Sequence, residues 1–285
     1  MARPASYVGP GDLDLINAKI KMGIYSHPGE GKTVFWGSGG TDVLFINSDP
    51  EGTISATAQG HRYHVVDAYD WDDMEQVYDW LKGDQPDTFR WIVWDSLTLF
   101  QDAALIDDIM VDAHAENPKQ EEFVPSRREY LVNMNRMGRM VRQLAKLPYN
   151  LGISFHVMTT TESGGDGTLF MPQVQGKNMP SKISGYMNVV GYMDKRKDEE
   201  TDKTVQSILF QRQGRHYAKD RWAALGSRVD RPTLPKVEGL IEERRSQMIS
   251  SQEDEKSSTK KKPATAARKP AARSPRKRAA RTRAS

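Results

Sequence analysis

The chain has 285 residues, enough for one large α/β domain with a full hydrophobic core or for two small domains. It has no cysteine, so neither disulfides nor a thiolate zinc site can hold the fold together, which suits a reducing cytoplasm. Residues 1–13 lack the apolar segment of a secretion signal, and no stretch approaches the about 18 apolar residues of a membrane span. We therefore expect a cytoplasmic protein that does not bind membranes.

The net charge of +3 is unevenly distributed along the chain. Residues 256–285 contain 12 of the 41 Lys and Arg residues and no acidic residue, so residues 1–255 hold 29 basic and 38 acidic side chains, a net charge of −9. This tail is rich in Ala, Pro, Arg and Lys and has almost no large apolar side chain, so we expect it to be disordered. Its charge favours sequence-independent attraction to nucleic-acid phosphates, and a solubilising tail is the alternative.

Short apolar runs alternate with longer amphipathic segments, which predicts an α/β domain with a mostly parallel central sheet and crossover helices. The predicted strands are 20–25, 43–47, 91–94, 151–158, 187–193 and 205–211, and the predicted helices are 71–81 and 127–147. The chain then divides into an N-terminal extension (1–17), this domain (18–245) and a disordered linker with the basic tail (246–285).

The segment Ser26-His-Pro-Gly-Glu-Gly-Lys-Thr33 lies between a predicted strand and a predicted helix, the context of a phosphate-binding P-loop. Phosphates need converging backbone N–H groups, which Gly29 and Gly31 leave accessible, and the helix N-terminus adds further donors. We expect Lys32 to reach the β- and γ-phosphates of ATP and the Thr33 hydroxyl to bind Mg²⁺. The usual motif begins with Gly instead of Ser26, and a Gly-rich surface turn is the alternative. The expected nucleotide-binding residues are Ser26, His27, Pro28, Gly29, Glu30, Gly31, Lys32, Thr33 and Val34.

A P-loop also needs an acidic residue near the metal, at the end of another buried strand. The apolar run 91–94 ends at Asp95, as in a Walker B strand, so Asp95 is expected to hold Mg²⁺ directly or through water. The alternative is an Asp that caps the next helix. The residue after Asp95 is Ser96 and not Glu, so the group that orients the attacking water is expected elsewhere.

Two carboxylates, Asp49 and Glu51, follow the predicted strand 43–47. The sequence Asp49-Pro-Glu51-Gly-Thr resembles the D-x-E-G-T element of the RecA-like recombinases, especially the archaeal and eukaryotic branch. The resemblance implies that Glu51 is the catalytic, water-activating carboxylate and that Asp49 supports it or the loop. The alternative is an ordinary turn rich in Asp, Pro and Gly.

His156 and the segment after it resemble two further parts of that family. A polar side chain at the end of the strand is the γ-phosphate sensor of RecA-like proteins, usually Gln or Asn, and here it is His156. A hydrogen-bonded histidine at a strand end is the alternative. The Gly-rich segment 159–183, with Lys177 and Lys182, is expected to be a long DNA-binding loop by the same resemblance.

The segment Lys219-Asp-Arg221-Trp222 resembles the Lys-x-Arg-aromatic element by which some RecA-like ATPases reach a neighbouring subunit's nucleotide. A cation contributed in this way would stabilise charge that develops on the γ-phosphate, which makes Lys219 and Arg221 candidate catalytic residues. An exposed charged hairpin is the alternative.

Size, motif order and the basic tail make residues 18–225 similar to the phage RecA-like ATPases of the Sak single-strand-annealing group. The resemblance implies a RecA-like core that hydrolyses ATP with Mg²⁺ and binds single-stranded DNA in the host cytoplasm. It also implies homo-oligomers and contacts with phage or host replication and recombination proteins. A nucleotide-switched loader or regulator of a replication protein remains open, and a small-molecule kinase is a weaker alternative without an acceptor-site signature.

Overall fold

The structure is a computed structural model that describes residues 14–15, 17–83, 88–161, 167–198 and 202–260. The strands in these ranges are β1 (Lys21–Ser26), β2 (Val43–Asn47), β3 (His64–Asp67), β4 (Trp91–Asp95), β5 (Asn150–Thr161), β6 (Thr168–Pro172), β7 (Val189–Lys197), β8 (Thr204–Leu209), β9 (Lys219–Asp220) and β10 (Arg228–Asp230). The α-helices are α1 (Lys32–Gly37), α2 (Ile54–Ala58), α3 (Trp71–Gly83), α4 (Leu97–Ala103), α5 (Met110–Glu116), α6 (Arg127–Leu144), α7 (Met179–Tyr186) and α8 (Leu234–Lys260). A 3₁₀ turn covers Gly40–Asp42, and a π-helical segment, Ala104–Ile109, joins α4 to α5.

The strands form one sheet in the order β10-β8-β7-β1-β5-β4-β2-β3, with β6 paired to β5 and β9 paired to β7. The strands from β7 to β3 in this order are parallel to one another, whereas β8, β10, β6 and β9 are antiparallel to their neighbours. Helices lie on both faces of the sheet. The predicted α/β architecture, a mostly parallel central sheet flanked by helices, is therefore confirmed.

Successive side chains of a strand point to opposite faces, so each buried strand contributes to two hydrophobic layers. In β4, Ile92 and Trp94 join a core with α3, α4, α6 and α7, whereas Trp91 and Val93 join a core with α1 and α8. This explains why the predicted strands appear in the sequence as continuous apolar runs and not as alternating ones.

The start of the long amphipathic helix α6 is fixed by side-chain hydrogen bonds. Ser126 accepts a hydrogen bond from the Arg128 N–H, and the Glu129 carboxylate accepts one from the Ser126 N–H, so a capping box begins α6. The helix ends at Leu144, before the 147 that we predicted. The prediction for 71–81 is confirmed by α3, which ends at Gly83.

Two predictions about irregular segments are wrong. The predicted loop 159–183 contains the end of β5, all of β6 and the start of α7, because Thr159, Thr160 and Thr161 pair with β6 in an antiparallel ladder. β-Branched residues favour such pairing. The predicted linker from residue 246 is helical to Lys260 as part of α8. The basic residues 261–285, together with 1–13 of the predicted N-terminal extension, lie outside the described residues.

No helix within the described ranges has both the length and the apolar character that crossing a lipid bilayer would require.

Candidate functional site

The loop between β1 and α1 has the open backbone expected of a phosphate-binding loop. Gly29 and Gly31 have φ angles of +78° and +92°, which favour glycine over other residues. Ser26, the last residue of β1, is buried, and its hydroxyl donates to the His27 carbonyl at 2.8 Å. The same hydroxyl accepts from Lys32 Nζ at 3.0 Å, so the Ser that replaces the usual Gly positions the lysine.

Lys32 is held inside this loop. Its side chain is buried, and Nζ lies 3.3 Å from the His27 carbonyl oxygen in addition to its bond with Ser26. Burial lowers the pKa of Lys32, and the negative charges of Asp95 and Glu30 oppose that shift. The loop thus presents a poorly solvated cation next to its own backbone.

Thr33 and Asp95 are brought into direct contact. The Thr33 hydroxyl, at the start of α1, donates to Asp95 Oδ2 at 2.7 Å, although the two residues are 62 positions apart. Burial raises the pKa of Asp95, whereas hydrogen bonds from Thr33 and Ser154 and the charge of Lys32 lower it. A hydroxyl and a carboxylate beside a phosphate-binding loop are oxygen donors that suit Mg²⁺, which retains several water or phosphate ligands.

Asp49 and Glu51 occupy different surroundings after β2. Asn47, which ends β2, is the register partner of Asp95, and the Ser48 N–H donates to the Asp95 carbonyl at 3.0 Å. Asp49 is half-buried, and its charge contributes to raising the pKa of Asp95. Glu51 is exposed in a turn with φ +63°, and its carbonyl accepts from the Ile54 N–H. The charge of Asp49 therefore acts on Asp95. Glu51, in contrast, contacts the start of α2 through its backbone carbonyl.

His156 lies beside the P-loop strand. It is the register partner of Ser26, although β5 does not end there but continues to Thr161. Its backbone N–H donates to the Thr98 hydroxyl at 3.1 Å. Burial and the charge of Lys32 lower the pKa of His156, whereas Asp95, Asp102 and Asp49 raise it. The imidazole thus belongs to the same group of interacting charges as Lys32 and Asp95.

Lys219 and Arg221 lie at the end of α7. The ammonium group of Lys219 donates to the Ser184 carbonyl, and Arg221 Nη2 donates to the Gly185 carbonyl at 3.4 Å. Burial, together with the charge of Arg221, lowers the pKa of Lys219 to about 8. Lys219 pairs in register with Val190, which itself pairs with Gly23 of β1. Gly23 lies three residues before Ser26, where the P-loop begins. Within one chain these two cations satisfy the last turn of α7 and do not join the P-loop group.

A cavity of about 380 Å³ opens beside the P-loop. It is lined by loop residues and by four side chains that the sequence analysis missed: Ser55, Gln59, Lys195 and Gln206. Ser55 lies in α2 and Gln59 directly follows that helix, whereas the last two come from the β7–β8 hairpin. They carry no motif, so only the three-dimensional arrangement reveals them.

A second cavity, of about 640 Å³, lies between the β5–β6 hairpin and α7. Lys177, Thr160, Asn178 and Ser181 contribute polar groups to its lining. Lys182 lies instead over Gly138 of α6. The region that we predicted to bind DNA thus has a groove with one lysine in its wall.

The comparisons with known proteins concern most of the chain. Residues 18–222 match the family model AAA_24, described as an AAA domain. The solved RadB recombinase has 14% sequence identity and a TM-score of 0.41, over 74% of this chain and 86% of that one. A KaiC-like protein from the hyperthermophilic archaeon Pyrococcus horikoshii has 13% identity and a TM-score of 0.34, over 75% of this chain and 89% of that one. No curated protein matches the chain.

Proposed function

The chain belongs to the AAA_24 family of AAA domains, and on this premise we propose that it is a RecA-like ATPase that hydrolyses Mg²⁺-bound ATP and acts on single-stranded DNA. The observation that carries the ATPase proposal is the meeting of Lys32, Thr33 and Asp95 at one edge of the sheet. A cation, a hydroxyl and a carboxylate in this arrangement match the needs of a bound nucleoside triphosphate and its metal.

The P-loop residues 26–34 would bind the phosphates. The loop N–H groups would donate hydrogen bonds to phosphate oxygens, and Lys32 would exchange its contacts with Ser26 and His27 for the β- and γ-phosphates. Thr33 and Asp95 would hold Mg²⁺ together with phosphate oxygens and water. The metal would supply neutralising charge for the phosphates when bound.

The carboxylate that orients the attacking water belongs, in this proposal, to the segment after β2. The resemblance to recombinases assigns this role to Glu51, which remains a prediction. The surroundings favour Asp49, because it is half-buried and its charge acts on both Asp95 and His156, whereas Glu51 is exposed. A general base must come within hydrogen-bond reach of the water that it activates, which favours the carboxylate closer to the metal-binding pair.

His156 is proposed to contact the γ-phosphate. Its lowered pKa favours the neutral imidazole when no phosphate is near. The anionic γ-phosphate would favour the imidazolium form, so the protonation of His156 would depend on which nucleotide is bound.

Lys219 and Arg221 are proposed to act on the nucleotide of a neighbouring subunit in a homo-oligomer. Two features support this: they are neighbouring cations beside the first residues of β7, and they contact α7 and not their own P-loop group. The contacts with α7 would then have to be given up or shared when the neighbour binds.

Single-stranded DNA is proposed to lie along the groove between the β5–β6 hairpin and α7, where Lys177 faces the cavity. The basic residues 261–285 would add sequence-independent attraction to the phosphate backbone. The similarity to the Sak group suggests a role in phage recombination or replication, with phage or host proteins as further partners.

We expect Lys32→Ala to lower the ATP hydrolysis rate by about 100-fold or more, because the variant removes the cation that contacts the phosphates. The rate is measured in magnesium buffer with and without single-stranded DNA, on the full chain. Parent-like hydrolysis by Lys32→Ala would overturn the ATPase proposal.

Single-stranded DNA is expected to stimulate ATP hydrolysis. We expect Lys177→Ala to weaken this stimulation and the matched variant Lys197→Ala to leave it unchanged. If DNA neither binds nor stimulates the parent, a loader of a replication protein is the better description.

The comparison of Asp49→Asn with Glu51→Gln tests which carboxylate orients the water. We expect Asp49→Asn to lower kcat by about 100-fold with little change in the KM for ATP, since the base acts in the transition state. Glu51→Gln should stay within about threefold of the parent, as expected for an exposed turn residue. The opposite pattern would assign the role to Glu51, and parent-like kcat in both variants would reject this segment altogether.

We expect ATP to bind His156 variants with a different pH dependence. In the parent, bound γ-phosphate should raise the pKa of His156, so a proton is taken up on binding and the affinity increases as the pH falls through the pKa of the bound state. Each unit of pKa change is worth about tenfold in Kd. The ratio of Kd values, His156→Gln over parent, should therefore rise toward acidic pH for a non-hydrolysable ATP analogue with Mg²⁺. Because both proteins bind the same ligand, the ligand's own protonation cancels. A flat ratio would contradict the sensor role.

The action of Lys219 and Arg221 on a neighbour predicts rescue by mixing. The double variant Lys219→Ala, Arg221→Ala keeps its own P-loop, and Lys32→Ala keeps both cations. We expect the mixture to hydrolyse ATP faster than the sum of the separate proteins, provided that light scattering shows the two to assemble. Melting curves of the double variant show separately whether the loss of its contacts with α7 lowers the stability of the fold. Assembly without any gain in rate would remove these residues from the catalytic set.

A further inference from the structure

The β7–β8 hairpin contacts the P-loop with two side chains that face each other. Lys195 of β7 and Gln206 of β8 are register partners, so they project from the same face of the antiparallel pair. The Gln206 side-chain amide donates to the Glu30 carbonyl, and Lys195 Nζ donates to the Gly29 carbonyl at 3.2 Å. Two consecutive peptide groups of the loop are thus bound through their oxygens.

A trans peptide group is planar, with its C=O and its N–H pointing in opposite directions. The Gly29 carbonyl shares a peptide plane with the Glu30 N–H, and the Glu30 carbonyl shares one with the Gly31 N–H. Holding both carbonyls toward the hairpin therefore turns both N–H groups away from it. We infer that Lys195 and Gln206 are positioning residues that set the direction of the phosphate-binding N–H groups. This inference rests on the proposed nucleotide binding at the P-loop.

Gly31 shows how closely the hairpin approaches the loop. A Cβ atom built on Gly31 would collide with the Gln206 side-chain amide, and the backbone has φ +92°. A side chain at this position would therefore displace Gln206 as well as strain the backbone. The absence of a side chain at position 31 is what allows Gln206 to reach the neighbouring carbonyl.

Lys195 also offsets a negative charge in the loop. The Glu30 carboxylate lies 3.7 Å from Lys195 Nζ, and its Oε2 atom is buried without a hydrogen-bond partner. A carboxylate in a phosphate-binding loop repels an incoming triphosphate, and the nearby ammonium group reduces that repulsion. Because Lys195 is half exposed, solvent screens part of this charge effect. The hydrogen bond from Lys195 to the Gly29 carbonyl is a second, separate contribution of the same side chain.

The test uses the full chain with the variants Gln206→Met and Lys195→Met, which keep side-chain length but remove the donors. We expect each to raise the Kd of Mg²⁺-bound ATP analogue by about 3- to 10-fold, the effect of one positioning hydrogen bond. ADP should lose a similar factor, since the loop N–H groups contact phosphates that ADP retains. The KM for ATP should rise while kcat at saturation stays within about twofold of the parent, as expected for lost uniform binding.

Matched controls come from the same strands and their ends. Lys197→Met changes an exposed lysine on β7, and Gln211→Met changes an exposed glutamine just after β8, so neither should alter Kd. Lys195→Arg should restore most of the affinity because it keeps a charged donor. The melting temperatures of the nucleotide-free variants should match that of the parent, because the substitutions are expected to leave packing intact. A general packing defect would lower them.

Neutralising Glu30 separates the two effects of Lys195. Glu30→Gln alone should tighten nucleotide binding, and Lys195→Met should cost less in that background than in the parent. An equal cost in both backgrounds would overturn the charge argument. Parent-like Kd in Gln206→Met and Lys195→Met would overturn the positioning role while leaving the proposed function intact. A parent that binds neither ATP nor ADP would overturn both.

Discussion

The candidate site depends on the parallel arrangement of β1, β5, β4 and β2, whose carboxyl ends meet at one edge of the sheet. The P-loop follows β1 and Asp95 ends β4, yet β5 separates these two strands. Ser154 on β5 is fully buried and small, and it accepts a hydrogen bond from Trp36 Nε1 at 3.0 Å. Ser154 also makes a side-chain hydrogen bond with Asp95, the residue that Thr33 contacts. The central contact of the site is therefore set by strand order and is supported by a small polar residue on the strand between.

The charges at this edge depend on one another. Burial disfavours the charged forms of both Lys32 and Asp95, and each stabilises the charge of the other. The charge of Lys32 lowers the pKa of His156, whereas the carboxylates Asp95, Asp102 and Asp49 raise it. Poorly solvated charges interact strongly with any further charge that enters. An incoming triphosphate would thus change the protonation balance of the whole group and not of one residue.

The sequence was sufficient to predict the parts of the fold that depend on local patterns. The buried parallel strands appear as short apolar runs, and Ser26 to Thr33 carries its motif in one continuous segment. Pairing between distant segments was harder to predict: the threonines after Met158 looked like a loop, but they extend β5 because β6 lies beside them. Lys195 and Gln206 were missed for a similar reason, since only the β7–β8 ladder brings their side chains to the loop.

The position of Lys219 and Arg221 connects two regions that the sequence treated as separate. Both cations satisfy carbonyl groups in the last turn of α7, and the first turn of α7 contributes Ser181 to the groove proposed for DNA. If a neighbour's nucleotide drew these cations away, the last turn of α7 would lose the donors for its carbonyls and become less stable. A ligand that holds α7 in place would in turn oppose that withdrawal, because coupling between two binding events is reciprocal. In a homo-oligomer, α7 would then be the element through which subunit contact and DNA binding affect each other.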